Sequence, residues 1–195
     1  MSDRVWLVRH AATEWTGHRW CGRTDLPLTA LGRAHASELA SRLAPVLPFR
    51  VVVMSSPARR ALETGRVLAD AIRGSVEVVD DLREVDFGEA EGRTWPEIEH
   101  GVPALAAALA AGITQIDWPG GETWAETRDR AAHVQGRIDS ASGPLVLVTH
   151  GGLIRALLDG PLGAGGPAER HLGPAAAIEI ARIDGVWAIP AVGVA

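Results

Sequence analysis

Arg9 and His10 stand side by side near the end of an apolar run, within "WLVRHAATEW" from Trp6 to Trp15. An arginine presents a permanently charged fork that matches phosphate oxygens, and a neutral imidazole is a competent nucleophile toward phosphorus. Related residue types recur along the chain. Arg59 and Arg60 follow "SSPA", Glu84 and Asp86 lie in "DDLREVDFGEAEG", and His150 precedes two glycines in "THGG". These residues suit phosphate-ester chemistry. Arginines would hold the phosphate and a histidine would attack it. A carboxylic acid, with its pKa raised by burial or by neighbouring carboxylates, would protonate the departing oxygen. A helix opening at Gly151 would add backbone N–H groups for an anion. No metal-ligand spacing links the histidines, so charge stabilisation would fall to arginines and a protonated histidine.

The elements that must position these groups follow from periodicity. Short β-branched runs at Val5–Val8, Val51–Met54, Val76–Val79 and Leu145–Val148 alternate with amphipathic helical stretches. This pattern predicts an α/β fold, a three-layer sandwich whose largely parallel, mixed central sheet is flanked by helices. Ile178–Ile183 and Val186–Ile189, joined by Asp184-Gly185, predict a terminal hairpin. One helix should begin after Thr29 as N-cap, with Ala36, Leu39, Ala40 and Leu43 on one face. A second should take Ser56 as N-cap and Pro57 as its first residue, with Ala58, Ala61, Leu62, Gly65 and Ala69 as its apolar stripe. Further helices are expected from about Gly121 to Ser140 and from Gly151. Between Gly92 and Pro119 the alternation lapses into alanine-rich helical sequence. That stretch, about 93–119, reads as a small helical cap insertion within a single domain spanning 1–195. Ligands of open α/β sheets bind at the carboxyl ends of the strands, and each parallel strand here is followed by residues of the phosphate set. They therefore fall on one rim.

Composition limits the partners. The 195 residues suit one domain with a substantial core, and a net charge of −5 argues against nucleic acid or an anionic membrane surface. All 19 basic residues are arginine, which removes any Walker or Schiff-base lysine. Cys21 is the single cysteine, so no internal disulfide forms and a reducing compartment fits. The amino terminus has too short an apolar run for a signal peptide, and no stretch approaches a membrane span, so the expected location is cytoplasmic.

The blocks "LVRHAATEW", "SSPARRALET", "LREVDFGEAEG" and "VTHGG", in this order, resemble the signature segments of the histidine phosphatase superfamily, which includes the cofactor-dependent phosphoglycerate mutases. "GRTDLPLTALG" and "PGGET" are similar to flanking family segments, so the resemblance covers nearly the whole chain. It implies a phosphoglycerate mutase-like fold and metal-free catalysis. Position by position, it implies His10 as the residue phosphorylated, Glu84 as general acid and base, and His150 as the second catalytic histidine of the pocket. It also implies Arg9, Thr16, Gly22, Arg23, Arg60, His150 and Gly151 as the phosphate- and substrate-binding set. Three positions depart from the family pattern: Ala11 and Ala12 follow the nucleophile, and Thr16 replaces a frequent asparagine.

The same site chemistry serves a phosphatase or a mutase. Members of the mutase branch carry basic residues in the cap region, whereas no lysine or arginine occurs between Thr94 and Thr127. Arg23 also resembles the phosphatase branches. The expected enzyme is therefore a histidine acid phosphatase-type phosphoric monoester hydrolase acting on a small phosphorylated metabolite, with no cofactor. A mutase, the alternative, would need 2,3-bisphosphoglycerate. A catalytically impaired family member that only binds phosphate esters is a further alternative. No nucleic acid or membrane partner is expected, and a homodimer is compatible with the sequence. Elsewhere, His18 divides evenly between substrate contact and solvent, and His35, His100, His133 and His171 read as structural or exposed. Arg59 reads as a helix-surface partner of Glu63, and Glu122 as either a helix cap or an orienting group. Asp86, Glu89 and Glu91 compete with Glu84 as a solvated acidic loop. Trp95, Trp118 and Trp124 bracket the cap and are read as packing residues or the lining of an entrance.

Overall fold

The computed structural model describes residues 4–48, 50–164 and 172–190. A six-stranded sheet lies at its centre. The strands are β1 (Arg4–Arg9), β2 (Val52–Ser55), β3 (Ser75–Val78), β4 (Leu145–Thr149), β5 (Ala177–Ile183) and β6 (Val186–Ala188), in the spatial order β3-β2-β4-β1-β5-β6. β1 to β4 run parallel, and β5 and β6 close one edge antiparallel. The hairpin turn has Asp184 at φ 51° and Gly185 at φ 83°, the left-handed pair that a tight two-residue connection requires.

The pleat sorts the central strands into two cores. Val5 and Leu7 of β1 join Leu145 and Leu147 of β4 in one apolar cluster. That cluster is completed by α5 (Trp124–Ser140) and α6 (Gly151–Asp159). Trp6, Val8, Val146 and Val148 point to the opposite face, against α1 (Ala30–Leu43) and α2 (Arg59–Ala71). The result is the expected three-layer α/β sandwich. Thr29 caps α1 by accepting the Gly32 N–H at 2.9 Å, and Ala36, Leu39, Ala40 and Leu43 are buried as the pattern predicts. The 93–119 stretch contains α3 (Trp95–Gly101) and α4 (Pro103–Ala110). These pack with Val85, Phe87 and Ala90 in a separate apolar cluster.

One helix start differs from the expectation. α2 begins at Arg59, not Pro57, and its N-cap is Ala58, whose side chain makes no cap bond. Ser56 is committed elsewhere, with its Oγ 2.8 Å from His150 Nε2. Asp25 substitutes from a distant loop and accepts the Arg59 N–H at 2.6 Å. The buried face of α2 also includes a charged residue, Arg60, with no exposed surface. No helix among the described residues is long and apolar enough to cross a membrane.

Candidate active site

Adjacent strand ends bring the two histidines together. β1 and β4 are paired with Arg9 opposite Thr149, so His10 and His150, each one residue further on, leave the sheet side by side. Their ring centroids are 5.0 Å apart at 63°. On the other side of β4, β2 delivers Ser56 to His150 Nε2.

The hydrogen bonds of His10 define its tautomer. Nδ1 lies 2.8 Å from the Ala11 carbonyl, which can only accept, so Nδ1 carries the proton. Arg60 Nε donates to Nε2 at 3.3 Å, so Nε2 offers a lone pair. Burial, then the neighbouring charge of Arg60, pushes the His10 pKa down to about 3. His150 also lies well below its ordinary range, through burial first and then the charge His10 would carry. Both rings are thus neutral at ordinary pH.

Arg60 is a structural hub as well as a donor. Its Nη1 donates to the Thr24 carbonyl at 2.8 Å, and Nη2 donates to those of Gly22 at 2.8 Å and Cys21 at 3.3 Å. Glu91 in turn accepts the backbone N–H groups of Gly22, Arg23 and Thr24 at 2.9, 3.2 and 3.1 Å. Gly22 is required by this packing, since a Cβ there would fall 2.5 Å from the Val85 carbonyl oxygen.

Two buried nitrogens near His10 lack a hydrogen-bond partner among the described residues. Arg9 donates from Nη1 to the Leu172 carbonyl at 2.6 Å, while its buried Nε has none. His150 Nδ1 is likewise buried and unpaired. A Cβ on Gly151, the first residue of α6, would lie 3.4 Å from the Arg9 guanidinium carbon. Thr16 Oγ1 accepts the Thr13 N–H at 2.9 Å and lies 3.2 Å from Thr13 Oγ1. Unpaired buried donors cost free energy, and an anion bound between them would recover it.

Glu84 occupies part of the anion site expected at α6. Its Oε2 accepts the Gly152 N–H at 3.1 Å, and Oε1 accepts those of Leu153 at 3.2 Å and Val85 at 3.0 Å. A Cβ on Gly152 would fall 2.5 Å from Glu84 Oε1, which explains the second glycine of "THGG". The loop carrying Glu84 is braced from α5. Glu122 accepts from Arg130 Nε at 2.9 Å and Nη2 at 2.8 Å, and also from the Asp86 N–H at 3.1 Å. Arg130 Nη1 donates to the carbonyls of Asp81 and Arg83. Glu122 is therefore an orienting group; Thr123 and Glu126 form the capping box of α5.

A cleft of about 500 Å³ opens over this cluster, lined by Arg9, His10, Thr16, Glu84 and Gly151 among others. Thr13, Arg155 and Trp20 also line it; the sequence reading missed them, because a threonine, a helix arginine and a tryptophan carry no motif. His18, Trp95, Trp118 and Trp124 line it as well. Arg60, Gly22 and His150 are not among the lining residues, but Arg60 and His150 both contact His10, which is. Arg23 is not brought to the group: its guanidinium faces Glu122 at 3.6 Å and Asp86 at 3.8 Å. Ala11, a departure from the family pattern, is fully buried in a cluster with Leu28, Ala36 and Ala175 and does not face the cleft. His35, His100 and His133 are exposed, and His171 lies outside the described residues. Arg59 pairs with Glu63 at 2.8 Å, as expected.

A family model for the histidine phosphatase superfamily (branch 1) matches residues 5–193. The chain belongs to that superfamily. Among its relatives within the superfamily, the glucosyl-3-phosphoglycerate phosphatase of Mycolicibacterium vanbaalenii is 35% identical over 172 residues, covering 82% of this chain and 74% of the relative. A mycobacterial glucosyl-3-phosphoglycerate phosphatase solved with VO3 superposes with a TM-score of 0.84 at 27% identity, covering 98% of this chain and 99% of that one. A phosphoglycerate mutase from Thermus thermophilus gives 0.69 at 34% identity, covering 91% and 92%. Within the histidine phosphatase superfamily this chain is thus similar to both phosphatases and a mutase.

Proposed function

We propose that the chain is a metal-independent phosphomonoesterase that hydrolyses a small phosphorylated metabolite through a phosphohistidine on His10. The observation that carries this reading is the state of His10: neutral, with Nδ1 holding the proton and the Nε2 lone pair facing the Arg60 guanidinium. Around it stand the unpaired donors Arg9 Nε and His150 Nδ1.

In the proposed cycle, the phosphate oxygens take hydrogen bonds from Arg9 Nε, His150 Nδ1, the Thr16 hydroxyl and the Gly151 N–H. Ser56, donating to His150 Nε2, would keep the proton on Nδ1. The Nε2–P bond forms as the P–O ester bond breaks, and the leaving oxygen takes the proton of Glu84. Water then attacks phosphorus and gives a proton to the Glu84 carboxylate. The N–P electron pair returns to Nε2 as phosphate departs. Arg60 orients the Nε2 lone pair before attack, turns its Nε–H to a phosphate oxygen while the Nε2–P bond exists, and regains Nε2 when phosphate departs; no metal or bound cofactor enters.

His10→Ala is expected to abolish phosphate release while the circular dichroism spectrum stays native. Retained turnover would overturn the mechanism, and activity is expected to withstand a chelator. The mutase alternative is favoured by the mutase among the structural neighbours. Against it stands the cation-free stretch from Thr94 to Thr127, which supplies the apolar wall of the cleft. Phosphate release from a panel of monoesters, run beside a mutase assay primed with 2,3-bisphosphoglycerate, separates the two. Dominant mutase turnover reverses the choice, whereas stoichiometric phosphohistidine without turnover assigns a binding role.

A further inference from the structure

Arg155 faces the cleft and has no role in the cycle above. It lies four residues after Gly151 on α6, and Gly151, Gly152, Arg155 and Ala156 all line the cleft. One turn of helix rises about 5.4 Å, so Arg155 stands a turn beyond Gly151, the glycine beside the Arg9 guanidinium. Its Nε is buried and has no hydrogen-bond partner, and no carboxylate among the described residues pairs with it. Charge places the two guanidinium groups near each other: burial lowers the Arg9 pKa most, and Arg155 pushes in the same direction while Glu84 opposes. A second cation is thus held beside the first, with no paired carboxylate of its own among the described residues. The cleft lining also includes aromatic and aliphatic residues, Trp118, Trp124 and Ile116. Such a lining takes up the carbon skeleton of a ligand and leaves its charge to Arg155.

We propose that Arg155 binds a second oxyanion, a carboxylate or a further phosphate, carried by the leaving group about one helical turn from the reacting phosphorus. This makes Arg155 a specificity-determining residue and selects monoesters of anionic alcohols over monoesters of neutral ones. The inference rests on the phosphomonoesterase reading for the identity of the first anion.

Three probes share a three-carbon skeleton: glycerol 3-phosphate, with a neutral leaving group; 3-phosphoglycerate, with a carboxylate; and propane-1,3-diol bisphosphate, with a second phosphate. The wild-type chain is expected to favour at least one charged probe over glycerol 3-phosphate by tenfold or more in kcat/KM, and whichever wins identifies the oxyanion. Arg155→Gln should erase that preference mainly through KM, and Arg155→Lys should restore part of it. Equal preference in the wild type, or an equal loss on all three probes in Arg155→Gln, would overturn the proposal. Isothermal titration calorimetry reads binding of the same three probes to the His10→Ala chain without turnover. Should neither these probes nor the monoester panel be hydrolysed, the phosphatase reading fails, while the same order of dissociation constants and its loss in Arg155→Gln still decide the oxyanion site.

Discussion

Burial keeps His10 and His150 neutral in the folded chain, whereas both would take up a proton near pH 6.5 once unfolded. Between pH 6.5 and about 3, the folded-state value of His10, the unfolded chain binds more protons at that position, so stability rises with pH through that window. This contribution is intact above pH 6.5 and is lost progressively on acidification. Urea midpoints measured from pH 7.5 to pH 5 should fall, and His10→Gln should flatten the slope. Ala11 leads to a second expectation. Because its methyl group fills an apolar cluster away from the cleft, Ala11→Gly should leave inhibition by inorganic phosphate within twofold and cost about 1 kcal/mol in stability. At this scale the sequence was legible where a residue stands at a strand end, as at Arg9, His10 and His150, which the structure brings together, whereas Glu84 stood out from its acidic neighbours only through the family resemblance. It was silent on Glu91, whose anchoring of residues 22–24 depends on a loop nearly seventy residues away. Arg23 was misplaced because nothing local shows that Glu122 and Asp86 lie within its reach.

Elements were readable from local signals and misjudged where a distant group intervened. The alternating β-branched runs and the Thr29 cap act over a few residues, so the strands and α1 lie within a residue or two of their expected bounds. The start of α2 moved because Asp25 supplies its cap and His150 claims Ser56. The brace between α5 and the Glu84 loop is of the same long-range kind. Glu122 and Arg130 are largely buried, with 8% and 14% of their side chains exposed. Removing one partner leaves the other charge unsatisfied, and Glu122→Ala should cost about 3 kcal/mol. Glu84 would then lose its fixed approach to the leaving oxygen, so kcat should drop tenfold or more while KM changes little. Glu122→Gln, which keeps one acceptor for the Asp86 N–H, should recover part of kcat. A variant that loses stability but keeps full kcat would show that the brace supports the fold alone.

The whole molecule joins two bodies of unequal cohesion around the cleft. The sheet and its four flanking helices share two large apolar clusters. α3 and α4 rest on each other and on the loop at Val85, Phe87 and Ala90, in a cluster that contains neither a strand nor a long helix. Segments with few buried apolar partners open at lower free energy than the core. Trp95 of α3 and Leu109 of α4 line the cleft together with Trp118, which packs on Trp20 and Phe87 at 5.2 and 4.6 Å, and with Arg9, Gly151 and Arg155. A ligand that touches both the core and this segment would stabilise the folded segment by mass action, about 2.7 kcal/mol at a hundredfold excess over its dissociation constant. Hydrogen exchange should therefore be fastest at the amides of α3 and α4 and slowest in β1 and β4. Saturating 3-phosphoglycerate should slow α3 and α4 far more than the central strands. Inorganic phosphate, which reaches only the histidine side, should protect the segment less. Equal protection by phosphate and by the larger ligand would mean that this segment takes no part in binding.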